Sequence, residues 1–106
     1  MWDPDQEEMM YGTIARLRVK PGSEKKLLQI SRDESALQIP GYIAQYVYQT
    51  DNDPHEYYLV VLFENRETYF ANANSPDQDA RYREFRALLE EDPEWHDGEV
   101  VFSESR

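Results

Sequence analysis

Between residues 11 and 19 the chain alternates, with Thr13, Ala15, Leu17 and Val19 on one side and Gly12, Ile14, Arg16 and Arg18 on the other. A period of two is that of a β-strand, whose successive side chains point to opposite faces. The segment Lys20-Pro21-Gly22-Ser23 ends this strand and predicts a helix start. Proline suits a first helical turn and Ser23 can cap free backbone N–H groups. Leu27, Ile30 and Leu37 then recur at helical spacing, with Lys25, Lys26, Arg32 and Asp33 on the wet side. Pro40-Gly41 stops the helix. Residues 42–50 and 57–64 read as two further strands, and the turn-rich segment between them makes a hairpin. Setting Thr50 opposite Glu56 pairs Gln49 with Tyr57, Val47 with Leu59, Gln45 with Val61 and Ile43 with Phe63. A slip of one residue would exchange the two faces of this hairpin.

Asn65-Arg66-Glu67 opens a short helix through Tyr69 and Phe70, interrupted near Asn74-Ser75-Pro76. A longer helix follows, with Tyr82, Phe85, Leu88 and Leu89 as its buried stripe, until Asp92-Pro93 breaks it. Val100 and Phe102 alternate with Val101 and Ser103 in a last strand that begins near Trp95-His96-Asp97. The order of elements is βαββαβ. It predicts an α+β, ferredoxin-like fold, a four-stranded antiparallel sheet with its helices on one face. The other face would display Tyr42, Tyr46, Tyr48, Tyr58, Val60 and Leu62, with Ile14 from the first strand. A patch of that size is seldom left bare, and a second copy packed sheet to sheet is the expected cover.

Composition narrows the function classes. At 106 residues the chain holds one domain, over residues 11–104, behind an acidic arm of residues 1–10 that reads as mobile. There is no cysteine, so thiolate chemistry and disulfides are excluded. His55 and His96 are the only histidines, and no metal site is expected. The run Glu90-Glu91-Asp92-Pro93-Glu94 looks like a solvated helix end rather than a metal cluster. The net charge of −11 argues against nucleic acid. No apolar run approaches the ~18 residues of a membrane span, so a cytoplasmic protein with no membrane partner is expected.

A pocket between sheet and helices would be lined by Thr13, Gln45, Phe63, Tyr69, Tyr82 and Phe85, although the same rings would also serve as core filler. Gln45 falls among apolar neighbours, and a buried amide needs partners: a ligand, a helix end or a water. His96 can titrate near neutral pH at the pocket rim. Neighbouring strand residues face opposite ways, so His96 and Asp97 do not form a direct pair. In the alternative arrangement Trp95 packs on a helix and His96 binds backbone or crosses the dimer seam. His55, in the hairpin turn, is expected to be solvated. Arg16 and Arg18 fall on the dimer face, with Glu64 as a partner.

Four pieces, ARLRVKPG at 15–22, Pro40-Gly41-Tyr42, LFENR at 62–66 and PEWHDGEV at 93–100, resemble the antibiotic biosynthesis monooxygenase-like family. The resemblance covers roughly residues 11–104 and implies a dimeric α+β barrel. It also implies oxygenation of a quinol, phenol or anthrone-type aromatic without metal or flavin, hence no cofactor. A substrate that forms a stabilised phenolate or carbanion passes an electron to oxygen once deprotonated, so the protein supplies an apolar pocket, orientation and proton transfer. Under this reading His96, Tyr69 and Tyr82 are the catalytic candidates, and Phe63, Gln45, Thr13, Phe85 and Trp95 bind substrate. Anthrone-oxidising relatives carry a tryptophan and an asparagine where this chain has Phe63 and Leu59. Haem-degrading relatives carry an asparagine at the position of Ala15 and a histidine in a segment matching residues 69–80, which has none. The alternative is a non-catalytic small-molecule-binding or stress-associated dimer of the same fold.

Overall fold

The computed structural model describes residues 9–106. The acidic arm expected over residues 1–10 thus lies, for its first eight residues, outside the described part. Seven elements follow in order: β1 (Tyr11–Arg18), α1 (Glu24–Ser35), β2 (Tyr42–Gln49), β3 (Glu56–Phe63), α2 (Arg66–Ala73), α3 (Pro76–Arg86) and β4 (Glu94–Glu99). The strands form one antiparallel sheet in the order β2-β3-β1-β4. This is the α+β ferredoxin-like architecture that the element order predicts. Among the described residues no helix is long and apolar enough to cross a membrane.

One face of the sheet carries the core. Ala15, Leu17 and Val19 from β1 and its extension are buried with Tyr57 and Leu59 of β3, Leu27 of α1, and Leu88 and Leu89. Ile30 of α1 and Phe85 of α3 pack against this cluster, so the helices roof that face. At Gly12 the close approach of β3 fixes the residue type: a Cβ would sit 1.8 Å from the carbonyl oxygen of Val61.

The hairpin has its expected register from Gln45↔Val61 to Gln49↔Tyr57, closed by a Thr50 N–H to Glu56 carbonyl bond of 3.1 Å. It departs at the other end. A bulge between Tyr42 and Ala44 pairs Tyr42, not Ile43, with Phe63. The extra residue turns the Tyr42 ring inward against Phe63, with centroids 5.6 Å apart, and leaves Ile43 exposed. Tyr42 therefore leaves the outer face to which the regular register assigned it. Gly41, just before it, has φ +79° and accepts the Glu64 N–H at 2.7 Å, and a Cβ there would strike Thr68 of α2. Only glycine fits that junction.

Other boundaries shift for local reasons. Ser23 stands at the N-cap of α1, but its side chain makes no capping bond and the proline lies in the turn before the helix. Leu37 falls beyond α1 and is exposed. The second helical region is two helices, each capped by a side chain: Asn65 accepts from the Thr68 N–H, and Ser75 from the Gln78 N–H with Pro76 following. α3 ends at Arg86, so Leu88 and Leu89 are buried not on its stripe but in an irregular segment that bridges Val19 to Leu89. The last strand is the polar stretch Glu94–Glu99, which pairs with the free edge of β1, and not residues 100–103. That ladder closes with the Val100 N–H on the Met10 carbonyl, and Val101 and Phe102 run on exposed.

Candidate functional site

The cleft between the sheet and the helices has a volume of about 430 Å³. Its floor is Thr13, Gln45, Leu59, Val61 and Phe63, its edge on β4 is Trp95 and Asp97, and α1, α2 and α3 supply the walls. Thr13, Gln45, Phe63, Tyr69, Tyr82, Phe85 and Trp95, singled out from the sequence, all come together there. His96 does not. It pairs with Ile14 on β1, whose side chain lies on the outer face, and its Nε2 meets Glu94 at 3.1 Å. The strand pleat puts Asp97 into the cleft in its place.

Tyr69 is the best-defined polar group of the cleft. Its ring lies edge-on to Tyr11, Phe63 and Phe70 at centroid distances of 5.2, 5.7 and 5.0 Å, which fixes the orientation of the phenol. The hydroxyl donates to Asp97 Oδ1 at 2.9 Å. Burial pushes the Tyr69 phenol well above the ordinary tyrosine range, and the Asp97 hydrogen bond and charge push it further. Tyr69 is therefore a neutral donor, not a base, at any physiological pH. The Thr13 hydroxyl is close enough to act weakly in the opposite sense, yet it is buried with no partner in hydrogen-bonding geometry. Thr13 and Asp97 face each other across the β1–β4 ladder, which places these three groups at one end of the cleft.

Tyr82 packs tilted against both Phe85 and Trp95, with centroids 6.2 Å from each, so the three rings form one aromatic wall of the cleft. The Gln45 amide donates to the Ser31 carbonyl within α1 at 3.1 Å, so its partner is the helix backbone and not a helix end. Glu34 of α1 and Arg81 of α3 also line the wall. The Arg81 guanidinium donates to the side-chain oxygens of Gln78 at 2.9 Å and Asn72 at 3.3 Å. Burial pushes the Glu34 carboxyl up, and the Arg81 charge pulls it partly back. Sequence reading missed Asp97 as a partner of Tyr69 and missed both Glu34 and Arg81. For Glu34 a signal existed: it lies seven residues after Leu27 and four after Ile30, on the apolar stripe of α1.

The remaining charges belong to the scaffold. Arg16 bonds Glu56 and Arg18 bonds Asp53, each at 2.7 Å, with Glu91 and Glu90 nearby, so Glu64 is not their partner. Arg86 takes Asp92 at 2.8 Å, so the acidic run after α3 is tied to arginines. His55 is half-buried, with Nδ1 3.4 Å from Glu24, and is not the solvated turn residue expected.

A family model describing antibiotic biosynthesis monooxygenases matches residues 10–91. A solved structure from Chloroflexus aurantiacus J-10-fl, named for the same family, is 26% identical, with TM-score 0.73 over 91% of this chain and 97% of that one. SnoaB, a cofactor-independent oxygenase from Streptomyces nogalater solved as a mutant, is 12% identical, with TM-score 0.76 over 89% of this chain and 95% of its own. A conserved protein from Methanosarcina mazei Go1 is 16% identical, with TM-score 0.73 over 85% and 91%. No curated protein matches the sequence.

Proposed function

The chain belongs to the antibiotic biosynthesis monooxygenase family, and from that premise we propose that it is a cofactor-independent monooxygenase for a quinol, phenol or anthrone-type aromatic. The observation that carries this reading is the ring-walled cleft of about 430 Å³ with the Tyr69–Asp97 hydrogen bond at one end. Its size suits a fused-ring substrate lying between the sheet and the Tyr82 and Trp95 rings. Once deprotonated, the substrate transfers one electron to dioxygen and the two radicals combine at carbon. A resulting hydroperoxide loses water, so a methylene plus O₂ becomes a carbonyl plus H₂O.

In this scheme the Tyr69 hydroxyl turns its hydrogen bond from Asp97 to the developing peroxide oxygen, as a donor that keeps its own proton. Thr13 and the Gln45 carbonyl oxygen offer the polar contacts that orient a ring hydroxyl. Tyr82, at the mouth, is the second proton-handling group. His96 has no part, being on the other face of the sheet. Consumption of dissolved oxygen is the test, with anthrone and a panel of hydroquinones. Uptake above buffer, reduced about 10-fold or more in Tyr69→Phe, is expected. Inertness across the panel removes the enzymatic reading for those compounds. One feature favours a second reading, a ligand-binding protein without turnover: Phe63 and Leu59 stand where the anthrone-oxidising relatives carry a tryptophan and an asparagine, which leaves Thr13 and Gln45 as the polar groups of the floor. Thermal stabilisation by the same compounds without oxygen uptake would establish it.

The outer face completes the proposal. Ile14, Ile43, Tyr46 and Tyr48 are 49, 45, 61 and 62% exposed there, beside Tyr58, Val60 and Leu62. A second copy of the chain is the partner proposed for this surface. Sedimentation at micromolar concentration should give a dimer, and Tyr46→Ser with Tyr48→Ser a monomer. A monomeric wild type would overturn it.

A further inference from the structure

We infer that Glu34 is the general base of the cleft, the group that takes the proton whose loss opens the substrate to oxygen. The inference rests on the monooxygenase reading and deepens it, by naming the acceptor that reading leaves open.

Placement comes first. On α1 the spacing from Leu27 to Ile30 to Glu34 keeps all three on one side of the helix. Leu27 is fully buried and Ile30 packs on the core, whereas Lys25, Lys26, Arg32 and Asp33 are exposed. Glu34 is thus a carboxylate on the stripe that α1 turns toward the sheet, and it lines the cleft. Among the described residues, no hydrogen bond or ion pair closes its carboxyl group. A carboxylate in that position costs free energy that no fixed partner offsets.

Three groups face it from other elements. Arg81 of α3 lowers its proton affinity, Tyr42 of β2 has a buried hydroxyl without a partner, and Asp79 of α3 shares the wall. The bulge in β2 is what brings Tyr42 inward toward Glu34. Burial outweighs the Arg81 charge and raises the proton affinity of the carboxyl, the direction that makes it a better proton acceptor. The groups at the Tyr69 end are engaged with each other: Asp97 accepts the Tyr69 hydrogen bond, and Tyr69 holds its own proton too tightly to act as a base.

The step balances simply. The O–H bond of a phenol, or the methylene C–H bond of an anthrone, breaks and its electron pair stays on the substrate as phenolate or carbanion. An O–H bond forms on Glu34, and the proton later passes to solvent through the cleft mouth. Arg81, on the same wall, faces the anion produced.

Proton abstraction can be read without oxygen. Anthrone in D₂O under anaerobic conditions exchanges its methylene hydrogens, followed by NMR, with the full chain as catalyst. The wild type should accelerate exchange with a rate that falls as Glu34 is protonated. Glu34→Gln should slow it about 10²-fold or more and abolish that acid limb, while anthrone still raises the melting temperature as in wild type. Glu34→Asp should keep the acid limb at a reduced rate, and serves as the test if the glutamine variant does not fold. Exchange in Glu34→Gln at the wild-type rate, an unchanged acid limb, or no exchange by the wild type above buffer would each overturn the inference. Exchange lost in Glu34→Gln but with no oxygen uptake by the wild type would support Glu34 and remove the oxygenase reading. Oxygen uptake undiminished in Glu34→Gln would do the reverse.

Discussion

The two faces of this sheet are built from neighbouring residues and have opposite fates. Ala15 is fully buried, and Ile14 beside it is about half exposed. Leu59 is buried with the core, while Tyr46 and Tyr48 on the adjacent strand stand out from the other side. The inner face finds its cover within the chain, three helices plus the Leu88–Leu89 segment, and the cover is incomplete in the middle, where it leaves the cleft. The outer face has rings and aliphatic groups, and among the described residues no element lies over it. What a face buries in one chain is fixed by connectivity as much as by hydrophobicity, because the helices return to only one side.

Paired substitutions across that boundary sharpen the contrast. Phe63→Ala empties a fully buried site in contact with Tyr42 and Tyr69, and should cost about 3–5 kcal/mol in urea unfolding. Ile14→Ala on the outer face should cost about 1 kcal/mol or less in a dissociated chain. Equal costs would erase the distinction between the faces. A smaller effect concerns Tyr69. Its raised pKa means that its contribution to stability is complete below the ordinary tyrosine pKa, and is lost as pH rises through the higher folded-state value. Tyr69→Phe should therefore cost about 1 kcal/mol near neutrality and flatten the alkaline fall in melting temperature. Smallest is a gain. Because the Glu34 pKa is raised in the fold, its charged form is disfavoured and stability is lost as pH rises through that value. Glu34→Gln should raise the melting temperature by about 1–3 °C at pH 7–8, and the gain should vanish toward pH 4. A loss at neutral pH would mean that Glu34 has a stabilising partner.

The inner face was largely legible in the sequence because β1 alternates without ambiguity and the six-residue connection sets the hairpin register. Seven of the eight catalytic and substrate-binding candidates named from the sequence line the cleft, His96 being the exception. The bulge was not legible, since Tyr42 and Ile43 are both apolar and either suits either face. β4 was misplaced for a different reason. Glu94–Glu99 has no strand-like composition, and becomes a strand because the edge of β1 offers it unpaired backbone groups. The error carried over to the site. With the strand fixed from Trp95 onward, Ile14↔His96 turns His96 outward and Asp97, 28 residues from Tyr69, inward. A contact that long-range depends on sheet pairing and leaves no local trace in the chain.

The position of Trp95 has an optical consequence. Its indole stands at the mouth of the cleft against the Tyr82 ring and is 45% exposed, so water reaches one side of it. An aromatic guest sliding under it would displace that water and quench or blue-shift its emission. The molecule therefore carries its own fluorophore where occupancy changes, and binding can be followed by light without any label.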